Sequence, residues 1–162
     1  TTNFMTLLNN LPFFPLYYGG NTKFSPIHCS DLTDTIYNVI SNNIYSKIIE
    51  CAGPETFTFK EIIIKLLNLI EKKRILFPMP TTLAKISARI FEIMPNPLLT
   101  RDQLKLLKYD NIPSGKYKTN SDLGIPSLRF FDEEVKKYCY MWKEGGQYST
   151  EKYSFNDDLK NK

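Results

Sequence analysis

The chain's one histidine, His28, stands beside Cys29 and three residues before Asp31, inside the stretch GGNTKFSPIHCSD at residues 19–31. Imidazole, thiol and carboxylate at this spacing are the raw material of a nucleophile–base pair or a metal site. The glycines at its head, Gly19 and Gly20, add the option of a phosphate-cradling loop. Each option makes a geometric demand. A phosphate loop needs an apolar strand before the glycines, further glycine and a helix behind them. No GxGxxG or P-loop pattern occurs in the chain. The alternation from Thr22 to Cys29 predicts a strand with Phe24, Pro26 and His28 on one face and Ser25, Ile27 and Cys29 on the other. Neighbours on a strand point apart, so His28 and Cys29 are not expected to share a metal or form one catalytic pair. Cys29 is expected to pack as a small apolar residue. Two readings of His28 stay open: a half-buried ring bonded to a neighbour, or a polar group lining a ligand pocket. Asp31 suits the first turn of a helix capped by Ser30.

Other catalytic arrangements fare no better. With a single histidine, no Ser–His–Asp trio can be assembled. Glu133, Glu134, Lys136 and Lys137 read as a solvated helix face. The three cysteines, Cys29, Cys51 and Cys139, are widely spaced and contain no CxxC pair, so reduced, buried thiols are expected. No metal site and no catalytic residue is predicted.

Composition narrows the classes further. The 162 residues are 42% hydrophobic and 23% charged, the pattern of a soluble globular domain. The net charge of +4 comes from lysines spread along the chain, so no nucleic-acid partner is expected. No apolar run approaches the ~20 residues of a membrane helix, and no signal peptide is read. The chain opens on Thr1 rather than Met, which raises the expectation of a fragment.

The elements that must hold these residues alternate. Residues 3–9 read as a helix end, Pro12 and Pro15 as a loop, and Gly19-Gly20 as a turn. A helix over 31–42 follows the Thr22–Cys29 strand. Lys47–Cys51 reads as a short buried strand closed by Gly53-Pro54. Thr58 and Glu61 form a capping box. Behind it, Phe59, Ile62, Ile63, Leu66, Leu67 and Ile70 make one apolar helix face. Arg74–Pro80 suits a strand. Residues 81–94 suit a core helix with Lys85 and Arg89 outside, a membrane-surface helix being the alternative. Thr100 and Gln103 suggest a second capping box, for a helix to about Lys108. A last helix near 132–143 packs Val135, Tyr138, Cys139 and Trp142. Residues 144–162 read as a polar, flexible tail, leaving 1–143 as the folded part.

Four stretches together resemble the C-terminal half of an extended or atypical short-chain dehydrogenase/reductase. They are GGNTKFSPIHCSDLTDTI, ECAGPETFTFKEII, PNPLLTRDQLKLLKYDNI and SDLGIPSLRFFDEEVKKY, at residues 19–36, 50–63, 95–112 and 121–138. They are most similar to the subgroup of the NAD(P)H-binding accessory subunit of respiratory complex I and its bacterial relatives, in the same order and spacing. The resemblance implies an α/β fold, the C-terminal portion of a Rossmann-type protein, with a small mixed sheet and surrounding helices.

It also implies what is missing. Such proteins carry a glycine-rich nucleotide turn, and their active members a Tyr-x-x-x-Lys pair. The glycine turn is absent, and the one Tyr-x-x-x-Lys spacing, Tyr148 to Lys152, falls in the tail. The resemblance therefore implies NADP or NAD in the full-length relative and no tight nucleotide binding by this chain alone. It places Lys23, Phe24 and His28 at the nicotinamide and substrate end of the cleft. It leaves Arg101 as a structural ion pair or a contact to a lipid- or quinone-side partner. The implied partners are a missing N-terminal nucleotide-binding domain and complex I subunits. The implied location is cytoplasmic, at most peripheral on the inner membrane. Two other functions stay open: the substrate-side part of an active epimerase, dehydratase or hydroxysteroid-type dehydrogenase, and a stand-alone interaction domain.

Overall fold

A computed structural model describes residues 1–80 and 101–148, with the side chains of Arg101 and Gln103 outside the description. The expected 81–94 helix and the Thr100–Gln103 capping box therefore lie outside the described residues. The elements run in this order: α1 (Thr2–Asn10), β1 (Phe13–Tyr17), β2 (Lys23–Phe24), α2 (Cys29–Ser41), β3 (Ile49–Glu50), β4 (Phe57–Thr58), α3 (Phe59–Leu69), β5 (Ile75–Met79), α4 (Arg101–Leu106), β6 (Lys118–Thr119) and α5 (Phe131–Lys136). Short 3₁₀ turns stand at Tyr18–Gly20, Ser121–Leu123 and Cys139–Trp142.

The expected single small sheet is instead three two-stranded pairs among the described residues. β1 runs parallel to β5, β2 antiparallel to β4, and β3 parallel to β6. Phe24 also bridges to Asn111. The architecture is thus mixed α/β with small sheets and several helices.

α3 is the centre of the core. Thr58 accepts the Glu61 N–H, and the Glu61 carboxylate accepts the Thr58 N–H at 2.7 Å, completing the capping box read from the sequence. Phe59, Ile62, Ile63, Leu66, Leu67 and Ile70 are all buried, against Met5 and Leu8 of α1, Phe14 and Leu16 of β1, and Val135, Cys139 and Trp142 near the C-terminal end. The period-3.6 stripe decided this outcome, because a helix with one apolar face has one stable side to bury. Arg74 ties α1 to the entry of β5 by donating to the Leu8 and Asn9 carbonyls at 2.8 and 2.9 Å.

Several local expectations are corrected. The Pro12–Pro15 stretch is not a loop: Phe13–Tyr17 is strand β1. Pro15 is tolerated because, among the described residues, β1 has one partner strand, β5. The Thr22–Cys29 strand stops at Phe24, since Pro26 has no N–H to continue a ladder. Residues 25–28 stay outside any strand, and α2 begins at Cys29 with His28, not Ser30, as its N-cap. Lys47–Cys51 shrinks to the two residues of β3, half-buried rather than buried. The 132–143 helix breaks after Lys136, and the chain resumes as the 3₁₀ turn Cys139–Trp142. The start of the expected tail is folded back: Tyr148 donates its N–H to the Met141 carbonyl, and its ring lies 5.0 Å from that of Trp142. Residues 149–162 lie outside the described residues.

Gly53 explains a tight joint. A Cβ at this position would stand 1.8 Å from the Pro26 carbonyl oxygen. Only glycine allows the 51–53 backbone to lie against residues 25–27, where its N–H donates to the Ser25 carbonyl at 3.3 Å. Gly53→Ala is therefore expected to abolish cooperative thermal unfolding or lower its midpoint steeply. Ile63→Ala should lower stability by about 3 kcal/mol, whereas Ile64→Ala, on the exposed side of the same helix, should change it little. Calorimetric or urea unfolding of the three variants checks this ranking.

Candidate functional site

The four stretches that resemble one family meet in space. Stretch one joins stretch two through the Gly53 contact and through Ser25 and Thr56, whose hydroxyls lie 2.8 Å apart. It joins stretch three where Asn111 donates to the Lys23 carbonyl at 2.7 Å, Ser25 donates to the Asn111 carbonyl at 3.0 Å, and Asp110 accepts the Lys23 N–H at 2.9 Å. Stretch two joins stretch four where the Glu55 carboxylate accepts the Phe131 N–H at 3.1 Å, at the start of α5. Buried Asn120, next to stretch four, accepts the Ala52 N–H at 3.0 Å and donates to the Ile125 carbonyl and Ser127. Ser127 in turn donates to the Ala52 carbonyl at 2.8 Å.

Stretches one and four meet at the amino end of α2, and this is where chemistry-bearing groups converge. Asp31 is only 5% exposed. It accepts the Arg129 backbone N–H at 3.1 Å and pairs with the Arg129 guanidinium, which also lies 3.5 Å from Asp34. The Asp31 bond, helped by the charges of both carboxylates, raises the Arg129 pKa above its ordinary value, against the opposing effect of burial. Beside the pair lies a cleft of about 530 Å³ lined by Asp31, Asp34, Asn38, residues 124–126, Leu128 and Arg129. Two carboxylates already face the one guanidinium there. Among the described residues that line the cleft there is therefore no further cation to hold a phosphate or carboxylate ligand.

His28 and Cys29 stand just behind. The His28 Nδ1 accepts the Ser30 N–H at 3.2 Å, so the neutral ring carries its proton on Nε2. Nε2 lies 4.0 Å from the Cys29 Sγ and 3.8 Å from the Glu134 carboxylate. The expectation that His28 and Cys29 point apart is thus corrected, because a helix begins between them rather than a strand continuing through. Cys29 is exposed rather than packed, Cys51 is half-buried, and Cys139 alone is buried as expected. The pair is still not a nucleophile and base. With Nδ1 capping the helix and Nε2 protonated, the ring has no lone pair for the thiol proton. Glu134 is not a solvated residue either. The Lys137 ammonium at 2.6 Å holds its carboxyl below the ordinary range, with His28 and Arg129 adding to the effect and burial opposing it. Among the described residues no cluster of three or more His, Cys, Asp or Glu could hold a metal ion. No helix among them is long and apolar enough to cross a membrane.

The sequence-predicted residues fall in different places. Lys23 is exposed and bonds through its backbone. Phe24 is half-buried, its ring 6.3 Å from that of Phe59 at the edge of the core. His28 is the helix cap. None of the three lines the cleft beside Arg129. Arg101 begins α4, and its side chain is outside the description. Arg129 was missed. Its one sequence signal was the acidic pair Asp31 and Asp34, three residues apart on a helix and in need of a counter-ion.

No family profile matches this chain. A mitochondrial protein of Arabidopsis thaliana, NADH dehydrogenase (ubiquinone) 1 alpha subcomplex subunit 9, is 27% identical over 145 residues, covering 83% of this chain and 36% of that protein. The chain thus spans about a third of the relative's length.

Two outcomes test the site. Arg129→Met strands the buried Asp31 carboxylate and should destabilise the fold, and adding Asp31→Asn should restore part of the loss. A double-mutant cycle of unfolding midpoints reads this directly. The second concerns acid. Glu61 is held below its ordinary pKa by bonds from the Thr58 N–H and hydroxyl, and Asp122 by the same groups of Thr119. A lowered folded pKa means that the stabilisation is complete above the unfolded value, about 4.3 for Glu and 3.9 for Asp. It is lost as pH falls through the folded value. Thermal midpoints should therefore drop below about pH 4, and Glu61→Gln should flatten that drop.

Proposed function

We propose that this chain is the C-terminal, substrate- and partner-side part of an NAD(P)-binding protein of the short-chain dehydrogenase/reductase type, related to the accessory subunit of respiratory complex I. One observation supports this above the rest. The four stretches that carry the resemblance are the ones that interlock, each joint made by residues within or beside them. The Arabidopsis relative adds a match along most of the chain.

The residues in hand do not fit tight nucleotide binding. There is no glycine turn for a pyrophosphate, and the cleft guanidinium is taken by Asp31 and Asp34. The chain on its own is therefore proposed to transfer no hydride. In the whole protein, NADP or NAD is held by a separate nucleotide-binding portion. Lys23, Phe24 and His28 border the nicotinamide end from this side, and Arg101 is kept as a structural ion pair or a partner contact. The proposed partners are that portion and complex I subunits, with no nucleic acid. The proposed location is cytoplasmic, at most peripheral on the inner membrane.

Calorimetric titration of NADPH and NADH into the chain tests the nucleotide statement. No saturable heat is expected, and a micromolar Kd would overturn it. Native electrophoresis of respiratory membranes from cells expressing a tagged chain tests the partner. Co-migration with NADH dehydrogenase activity is expected, and migration of the whole pool apart from it would overturn the partner reading.

A further inference from the structure

The chain's one histidine stands between two jobs that need different protonation states. As a neutral ring, His28 caps α2, its Nδ1 accepting the Ser30 N–H at 3.2 Å. Its other nitrogen, Nε2, lies 3.8 Å from the Glu134 carboxylate on α5. An imidazolium carries a proton on both nitrogens and accepts nothing. Charging the ring therefore sets one N–H against another at Nδ1 and breaks the cap. The same proton turns the Nε2 contact into an ion pair. The helix sharpens the conflict, because the amino end of a thirteen-residue helix is partly positive and disfavours a cation there. Water reaches the ring, whose side chain is 31% exposed, so the proton can come and go.

We infer that His28 is a proton-operated latch on the amino end of α2, closed as a neutral cap and open as an imidazolium paired with Glu134. The groups around the ring set this direction. On its own helix are the Cys29 thiol, 4.0 Å from Nε2, and Asp31, whose carboxylate is turned to Arg129. On α5 are Glu134 and Lys137, joined at 2.6 Å. Arg129, just before α5, is taken by Asp31 and Asp34. Among the described residues, Glu134 is the one acidic group within 4 Å of the ring nitrogens. A charged ring that turns to meet it leaves Ser30. The effect reaches past the cap. Asp31 sits in the same first turn, and its carboxylate accepts the N–H of Arg129, 98 residues away, at 3.1 Å. An uncapped first turn frays, and Asp31 then slackens its hold on Arg129 beside the cleft. Mild acid is thus sensed at one side chain and passed to the joint between distant stretches of the chain. The latch works without any nucleotide.

A single histidine makes the test clean. Nitrogen-15 NMR of the full chain follows the imidazole and the amide exchange rates from about pH 8 down to about pH 5. At the upper end the ring should be the Nε2–H tautomer. As it charges, the protection of the Ser30 and Arg129 amides, corrected for intrinsic exchange, should each fall about fivefold, with the ring's own midpoint. His28→Asn keeps a capping side chain that takes no proton, so both amides should stay protected across the range. In the acidified wild type the Glu134 carboxylate should hold the Nε2 proton against exchange with water, and Glu134→Gln should release it. If either variant misfolds, the wild-type titration decides alone. A ring protonated on Nδ1 at the upper end, or a Ser30 or Arg129 amide indifferent to the ring's titration, would overturn the proposal. So would acid loosening that persists in His28→Asn, or an Nε2 proton equally well held in Glu134→Gln.

Discussion

The contact between Gly53 and residues 25–27 is the constraint on which the rest of the structure leans. Two backbones touch there with no room for a methyl group, the missing Cβ falling 1.8 Å from the Pro26 oxygen. Holding residues 25–27 in this way sets where His28 can cap α2, and so where Asp31 points. Holding residue 53 sets where Glu55 meets the start of α5, and where Thr58 opens α3. A close backbone approach is stiff because neither side has rotamers with which to yield.

Around that contact the joints are mostly polar. Asn120, Ser127, Glu55, Asp31 and Arg129 each link segments far apart in sequence. Residues that looked like candidates for chemistry are spent on this work. Asp31 is a buried counter-ion, His28 is a cap, and Glu134 lies between Lys137 and His28. A group whose hydrogen bonds are already satisfied is a poor catalyst, because it has neither a proton nor a lone pair to spare.

The core and the site differ in how far they could be read from the chain. The α3 stripe and its capping box were legible because both are local patterns, repeated within four residues. The last helix was legible as to its buried residues, though not its break after Lys136. β1 was not legible because Pro12 and Pro15 look like a loop until the pairing with β5 is seen. The Thr22–Cys29 strand was overextended because alternation says nothing about whether a ladder partner exists. The Asp31–Arg129 pair was not legible at all, since 98 residues separate its members.

By itself the sequence determined which helix must be the core, which residues cap it, and that no nucleotide turn or metal cluster is encoded by a local motif. These are properties of spacing, and spacing acts within a turn or two of backbone. The tertiary structure alone decided that Asp31 is buried against a distant arginine and that α2 presents its isoleucines to water. Each depends on what a residue meets across the fold, where burial and charge pairing outweigh local preference.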